Sequence, residues 1–193
     1  QFGSKGWQGW VEDDEEKIFA ILKAAYDIGI RTYDTADVYS NGLSERMLGK
    51  FLKKFNIPRE RVVIMTKVYC PVDESYGHDD VMFNDSWFSA QKKIDLINNR
   101  GLSRKHILDG VDQSLKRLDV SYIDVYQIHR YDHTTPPEET MKALNDVIES
   151  GKVHYIGASA MKAVDFVDLQ HIADMNGWHK FINVQSEYSL LVR

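Results

Sequence analysis

Cysteine is scarce in this sequence of 193 residues, and long apolar runs and an excess of positive charge are lacking. Cys70 is its one cysteine, which excludes an internal disulfide framework and a cysteine-only zinc site and makes a reducing, cytoplasmic setting the simplest expectation. No apolar run approaches the roughly 18 residues that a membrane span requires. The formal net charge of −5 argues against nucleic acid and anionic membrane as partners.

The composition is that of an ordinary globular domain, with 43% hydrophobic and 27% charged residues, so we expect one domain over residues 1–193. The chain begins with Gln1 rather than Met, and we expect its natural N-terminus to lie upstream. Five runs of consecutive β-branched or aromatic residues predict strands, because parallel strands are buried on both faces. These runs are 30–33, 62–68, 123–128, 153–156 and 181–184.

Amphipathic segments between these runs predict helices over residues 15–27, 45–55, 104–118 and 164–176. Ser44 and Ser103 are candidate N-caps, and Gly177 is a candidate C-cap in the left-handed conformation. Residues 135–138, TPPE, predict one more helix start, with Thr135 as the cap and proline in the first turn.

Strand and helix alternate along the chain, which predicts an α/β fold of right-handed βαβ units. A doubly wound sheet and a (β/α)8 barrel both fit, and the barrel is favoured because no G-x-G-x-x-G fingerprint follows a strand. The connection over residues 70–100 is unusually long and carries Tyr76, Phe83, Trp87 and Phe88. We interpret it as a loop over a site; the alternative is a surface insertion whose aromatic side chains pack on the barrel.

Polar residues lie at or just beyond the ends of the predicted strands, where active sites of parallel α/β folds are found. They are Asp34, Thr35, Asp37, Tyr39, Lys67, His129, Ser159, Gln185 and Glu187. Lys67 lies in an apolar strand and needs a partner, because an unpaired buried ammonium is costly. Asp34, one strand away, is the expected partner. Each residue alone has a structural interpretation, as a hydrogen-bonded histidine, a structural ion pair or a packed tyrosine, whereas their grouping favours a site.

Two other possible sites are not favoured by the sequence. His129, Asp132 and His133 lie in a loop that fixes no ligand geometry, so no metal site is predicted. Cys70 has no activating partner that the sequence can assign, and we interpret it as a packed thiol rather than a nucleophile.

Residues 33–45, YDTADVYSNGLSE, closely resemble the signature of the aldo-keto reductase superfamily. Three later segments agree in order and context, namely VIMTK at 63–67, DVYQIH at 124–129 and GKVHYIGAS at 151–159. The segment NVQSEYSLL at 183–191 is similar to the family's sixth strand and loop. The resemblance covers nearly the whole chain and points to the aryl-alcohol-dehydrogenase-like branch of fungi and bacteria.

The resemblance implies a (β/α)8 TIM barrel, present here from about the end of strand 1 through strand 6, that binds NADP(H) without a Rossmann domain. It also implies a catalytic tetrad of Asp34, Tyr39, Lys67 and His129. Tyr39 would protonate the carbonyl oxygen, Lys67 would lower the pKa of Tyr39, and Asp34 would keep Lys67 charged. His129 would donate to the substrate oxygen and orient the carbonyl.

The same resemblance assigns Ser159 and Gln185 to the nicotinamide carboxamide of the cofactor. This chain has Ala160 where many members carry asparagine beside that serine. Expected substrate-pocket residues, for each of which simple packing is the alternative, are Trp7, Trp10, Trp87 and Phe88.

The expected function is reduction of an aldehyde or ketone by NADPH, with a bulky or aromatic carbonyl compound as substrate. The alternative is a catalytically silent subunit of the same fold that binds or senses the cofactor. Because a complete barrel has eight strands, we expect these residues to be an excerpt of a complete reductase; a truncated paralogue and a repurposed binding protein are the alternatives. The open edges of an incomplete barrel would favour self-association.

Overall fold

The computed structural model describes residues 1–79 and 88–191. The strands are β1 (Thr32–Asp34), β2 (Val63–Val68), β3 (Ile123–Ile128), β4 (Val153–Ser159) and β5 (Phe181–Gln185). The helices are α1 (Glu15–Asp27), α2 (Leu43–Lys54), α3 (Ala90–Asp95), α4 (Arg104–Leu118), α5 (Pro137–Glu149) and α6 (Ala163–Asn176). Within these described ranges, each helix is too short or too polar to cross a membrane.

The strands form one parallel sheet in the order β1-β2-β3-β4-β5. In a flat sheet β1 and β5 would lie about 19 Å apart, because neighbouring strands are ~4.8 Å apart. Instead, the side-chain amide of Gln185 at the end of β5 donates to Oδ1 of Asp34 at the end of β1, at 3.0 Å. The sheet therefore curls into part of a barrel, and the predicted α/β barrel class is confirmed.

Successive side chains of each strand face alternately the helices and the interior of the curled sheet. On β2, Thr66 donates to Glu45 of α2, whereas Lys67 donates to Asp34 inside the barrel. The main hydrophobic core lies between the sheet and the helices. Its strand residues include Ile64, Val68, Tyr126, Ile128, Ile156 and Ala158. Polar side chains are thereby concentrated in the interior.

Two of the predicted helix caps are confirmed. The side chain of Ser103 accepts a hydrogen bond from the backbone N–H of His106 at 3.3 Å, directly before α4. Gly177 ends α6 with a φ of 66°, in the left-handed region that an L side chain rarely adopts.

Two other cap predictions are wrong. Residues 40–42 already turn through left-handed conformations, so α2 begins at Leu43, after Gly42. Ser44 lies inside the helix, where its hydroxyl bonds that of Thr35 at 2.8 Å. Thr135 donates instead to Asp132 at 2.8 Å, and the residue before α5 is Pro136.

The connection over residues 70–100 is more structured than a plain loop. It contains a 3₁₀ turn, Glu74–Tyr76, and the short helix α3. The buried side chain of Asn41 donates to the carbonyls of Asp73 at 2.7 Å and Gly77 at 2.6 Å, and accepts from the N–H of Asp73 at 3.0 Å. Half-buried aromatic residues of the connection pack with Tyr39 on a small second core; they include Tyr76 and Phe88. The described parts of the connection, residues 70–79 and 88–100, therefore pack on the barrel beside the predicted site.

Candidate active site

An ion pair between Lys67 and Asp34 lies at the centre of the candidate site. Nζ of Lys67 donates to Oδ2 of Asp34 at 2.7 Å and to the carbonyl oxygen of Thr35 at 2.8 Å. The lysine is only 2% exposed, whereas the aspartate side chain is 40% exposed. The partner predicted for this buried ammonium is therefore confirmed.

Tyr39 and His129 lie beside this ion pair. Nζ of Lys67 is 5.4 Å from the centre of the Tyr39 ring. The rings of Tyr39 and His129 meet edge-on, with 5.7 Å between their centres. Four residues from three different strand ends are thus collected at one place, the carboxyl-terminal edge of the sheet.

The surroundings of Tyr39 shift the pKa of its hydroxyl. Burial raises the pKa of the Tyr39 hydroxyl above its usual value, and the nearby charge of Asp34 raises it further. The net shift is upward because desolvation of the phenolate outweighs the favourable charge of Arg130. The lowering that the resemblance assigns to Lys67 stays a prediction. Tyr39 is therefore held as a protonated phenol at neutral pH.

His129 is shifted towards its neutral form. Burial, followed by the positive charges of Lys67 and Arg130, lowers the pKa of the imidazole from 6.5 to about 3. A neutral imidazole carries one N–H, so at neutral pH His129 presents a single hydrogen-bond donor.

Ser159 and Gln185 are direct neighbours in the register of β4 and β5. The hydroxyl of Ser159 donates to the backbone carbonyl of Gln185 at 2.9 Å, and the amide of Gln185 reaches Asp34 as described above. The structure thereby places both predicted cofactor residues on the same edge as the Lys67–Asp34 pair. Ala160, next along the chain, has a φ of 34°.

The four predicted pocket residues occupy different surroundings. Trp7 is 4% exposed, and its ring centre lies 6.0 Å from that of Tyr39. Trp10 is 68% exposed and has no ring contact with the site in the described ranges. Phe88 is half-buried in the small core beside Tyr39, and Trp87 lies outside the described residues. Trp7 thus contacts Tyr39, Phe88 shares the small second core with Tyr39, and Trp10 does neither.

Neither Asp132 nor Cys70 has the surroundings of a reactive group. The carboxylate of Asp132 accepts from the N–H groups of Leu102 and Thr134 and from the hydroxyls of Thr134 and Thr135. Residues 1–79 and 88–191 contain no cluster of metal-ligating side chains. Cys70 is buried, and its desolvation raises the pKa of the thiol, so the interpretation of a packed thiol is confirmed.

Sequence reasoning missed two polar residues inside the barrel, Gln127 and Asn183, and also Asn41, which holds the long connection. Gln127 donates to Oδ1 of Asp34 at 3.4 Å and accepts from Asn183 at 3.0 Å. Asn41 fastens the long connection beside Tyr39. A signal existed for Gln127, because it is a polar residue between apolar neighbours in β3, at a position that faces the interior.

The chain is similar in sequence to known proteins of one family. A family model described as the aldo/keto reductase family matches residues 1–193. The Saccharomyces cerevisiae protein AAD16, which carries an aryl-alcohol dehydrogenase name, is 55% identical over 100% of this chain and 55% of its own length. Versiconal hemiacetal acetate reductase of Aspergillus parasiticus is 53% identical, over 100% of this chain and 54% of its own. The chain spans about half the length of these curated relatives.

Proposed function

The chain belongs to the aldo/keto reductase family, and from that premise we propose that it carries the hydride-transfer site of an NADP(H)-dependent reductase. The proposed reaction is reduction of an aldehyde or ketone to an alcohol in a reducing, cytoplasmic setting. One observation carries the proposal: Tyr39 and His129 meet edge-on beside the buried ion pair of Lys67 and Asp34. A proton donor, a neutral hydrogen-bond donor and an ammonium paired with a carboxylate therefore lie close together.

Tyr39 is the proposed proton donor. Its raised pKa keeps the hydroxyl protonated at neutral pH. As hydride reaches the carbonyl carbon, the oxygen becomes an alkoxide, which is a stronger base than a phenolate and takes the proton from Tyr39. The ammonium of Lys67 then stabilises the phenolate that remains, and Asp34 keeps that ammonium in place.

His129 is proposed to hold the carbonyl oxygen. Because the low pKa leaves its ring neutral, His129 supplies one N–H to the oxygen and cannot itself become the main proton source near neutral pH. A donor fixed before the reaction stabilises the negative charge that develops on the oxygen.

Ser159 and Gln185 fit the carboxamide of a nicotinamide ring. The amide of Gln185 offers both a donor and an acceptor, which matches the two groups of a carboxamide. The hydroxyl of Ser159 lies at the adjacent register position and can accept as well as donate. Bound NADPH would supply the hydride. The choice of NADP(H) follows the family resemblance.

An aromatic or otherwise bulky carbonyl compound is the proposed substrate. Trp7 packs beside Tyr39, and Phe88 packs on the same small core as Tyr39, so the surroundings of the proton donor are aromatic. The aryl-alcohol dehydrogenase name of the yeast relative is in keeping with such a substrate. Aromatic surfaces next to the proton donor favour ring-bearing aldehydes over short aliphatic ones.

The test is NADPH oxidation by the full-length protein with matched aromatic and short aliphatic aldehydes. Tyr39→Phe removes the proton donor, so turnover is expected to fall by at least about 10²-fold. The affinity for NADPH, followed by quenching of tryptophan fluorescence, is expected to stay within about twofold because Tyr39 donates no assigned cofactor contact. Tyr122→Phe is the control, since that ring stacks on His154 away from the tetrad.

Two results would contradict the proposal in different ways. Wild-type protein that binds NADPH yet reduces no member of the aldehyde panel would favour the cofactor-binding subunit. Equal turnover of Tyr39→Phe and wild type would remove Tyr39 from the role of proton donor.

A further inference from the structure

Polar side chains from three strands lie at one level inside the barrel. Lys67 of β2, Gln127 of β3 and Gly157 of β4 are partners in the parallel register. Nδ2 of Asn183 on β5 donates to Oε1 of Gln127 at 3.0 Å. Nε2 of Gln127 donates in turn to Oδ1 of Asp34 at 3.4 Å. We call Asn183, Gln127 and Asp34 the amide chain.

The amide chain passes over β4 because that strand has no side chain at this level. A Cβ atom on Gly157 would lie 2.0 Å from Oδ1 of Asn183 and 3.0 Å from Cγ of Gln127. Glycine weakens a strand interior and is found where other groups approach closely. Gly157 therefore leaves the gap through which side chains of β3 and β5 meet.

The direction of the hydrogen bonds is fixed by the carboxylate at the end. A carboxylate only accepts, so Gln127 must turn its NH₂ group towards Asp34 and its oxygen towards Asn183. Gln127 is 0% exposed, so both ends of its amide are satisfied inside the protein. Asp34 accepts from Gln127 and Gln185 on Oδ1 and from Lys67 on Oδ2.

Asp34 needs this restraint because its own strand, β1, does little to hold the side chain in place. β1 has only three residues, and the Asp34 side chain is 40% exposed. A carboxylate with this exposure is free to turn unless donors hold both of its oxygens. Rotation of Asp34 would move the ammonium of Lys67 relative to Tyr39.

We propose that Gln127, supported by Asn183 through the gap at Gly157, is a positioning residue. It fixes the carboxylate of Asp34, and through it Lys67, in the arrangement that stabilises the Tyr39 phenolate. This inference rests on the proposed function for its catalytic consequence. Gln127 acts only through Asp34 and is assigned no contact with cofactor or carbonyl substrate.

The kinetic test uses Gln127→Met in the full-length protein, which keeps the side-chain volume and removes both hydrogen bonds. Loss of a donor to a charged group is expected to lower kcat per NADPH-binding site about tenfold. The Kd for NADPH and the KM for the carbonyl compound are expected to stay within about twofold. Asn183→Ala, one link further from Asp34, is expected to lower kcat by only about two- to threefold.

Gln170→Met is the matched control. The amide of Gln170, on α6, also bonds a strand, with Phe181 as donor at 2.8 Å and as acceptor at 3.0 Å, but it does not contact Asp34. Its loss is expected to lower the Tm without changing kcat per binding site. Equal kcat in Gln127→Met and wild type, or equal losses in Gln127→Met and Gln170→Met, would overturn the inference.

A second measurement on the cofactor-free protein separates this inference from the proposed function. Hydrogen exchange of the Gln127 side-chain amide, followed by NMR, is expected to be at least about tenfold slower than that of exposed Gln113. Gly157→Ala is expected to remove the protection. If wild-type protein reduces no carbonyl compound, the proposed function fails, while slow exchange still supports the restraint on Asp34. Exchange of Gln127 as fast as that of Gln113 would overturn the amide chain.

Discussion

Nε of Arg117 on α4 donates to Oε2 of Glu45 on α2 at 2.6 Å, in an ion pair whose side chains are 5% and 0% exposed. The hydroxyl of Thr66 on β2 donates to the other carboxylate oxygen. Burial lowers the pKa of Arg117, but Glu45 and Asp37 raise it more, and the net shift is upward. This pair joins two helices behind the strands that present the tetrad.

Arg117→Met is expected to destabilise the protein by about 3–5 kcal/mol, because it leaves the carboxylate of Glu45 buried without its partner. Adding Glu45→Met should recover most of that loss, since the uncompensated charge is then removed. Lys53→Met is the matched control: its exposed pair with Asp119 also links α2 to the end of α4 and is worth ~0–1 kcal/mol. Urea unfolding measures all four proteins. A double variant as unstable as Arg117→Met would contradict this account.

The elements that depend on local signals were predictable from the sequence. The bounds of α1, α4 and β3 agree with prediction, because periodicity and a cap such as Ser103 fix them within a few residues. The Asp34–Lys67 pair was predictable for a different reason: a buried ammonium needs a carboxylate nearby. Both arguments hold without knowledge of the sheet's curvature.

Features that depend on curvature or on a distant partner were not predictable. Gln127 and Asn183 meet only because the sheet curls and Gly157 leaves space between them. Thr135 has the sequence of a cap but bonds Asp132 instead. The pKa of Tyr39 depends on how fully the ring is buried, and the sequence shows the charges without the burial.

Ala160→Asn is expected to stabilise the protein by about 0.5–1 kcal/mol, because a φ of 34° is costly for alanine and tolerated by asparagine. Asn56, with a φ of 48° after α2, offers the reverse substitution: Asn56→Ala should destabilise by a similar amount. Chemical denaturation of both variants measures the two effects. If Ala160→Asn lowered the stability, the left-handed φ of Ala160 would not carry the free-energy cost that we infer.

Asp132→Asn is expected to cost about 1–3 kcal/mol near neutral pH, since four donors serve its carboxylate. Although burial raises the pKa of Asp132, the hydrogen bonds from Thr134 and Leu102 lower it more. A depressed folded-state pKa means that the stabilisation is complete above the unfolded value near ~3.9 and is lost as the pH falls through the folded value. When unfolding is measured from pH 7 to pH 3, the difference in the free energy of unfolding between wild type and variant should therefore narrow below about pH 4.

Asp168→Asn serves as the control for that series, because Asp168 is exposed and its side chain has no hydrogen bond within residues 1–79 and 88–191. Its stability should follow that of the wild type at every pH. The difference in the free energy of unfolding between Asp132→Asn and wild type could instead stay constant down to pH 3. That result would rule out the carboxylate as the source of the stabilisation.

His129 should remain neutral throughout the pH range in which histidine normally titrates. Its folded-state pKa is about 3, whereas an unfolded imidazole titrates near ~6.5. The unfolded chain therefore binds a proton first as the pH falls, so the contribution of His129 to stability is complete above about pH 6.5 and declines below it.

Imidazole nitrogen shifts recorded by NMR at pH 5 should show neutral His129. Lys67→Met removes one of the opposing charges and should raise this pKa only in part, because burial is the larger cause. Protonation of wild-type His129 near pH 6.5 would contradict both the burial argument and its proposed role as a neutral donor to the carbonyl oxygen.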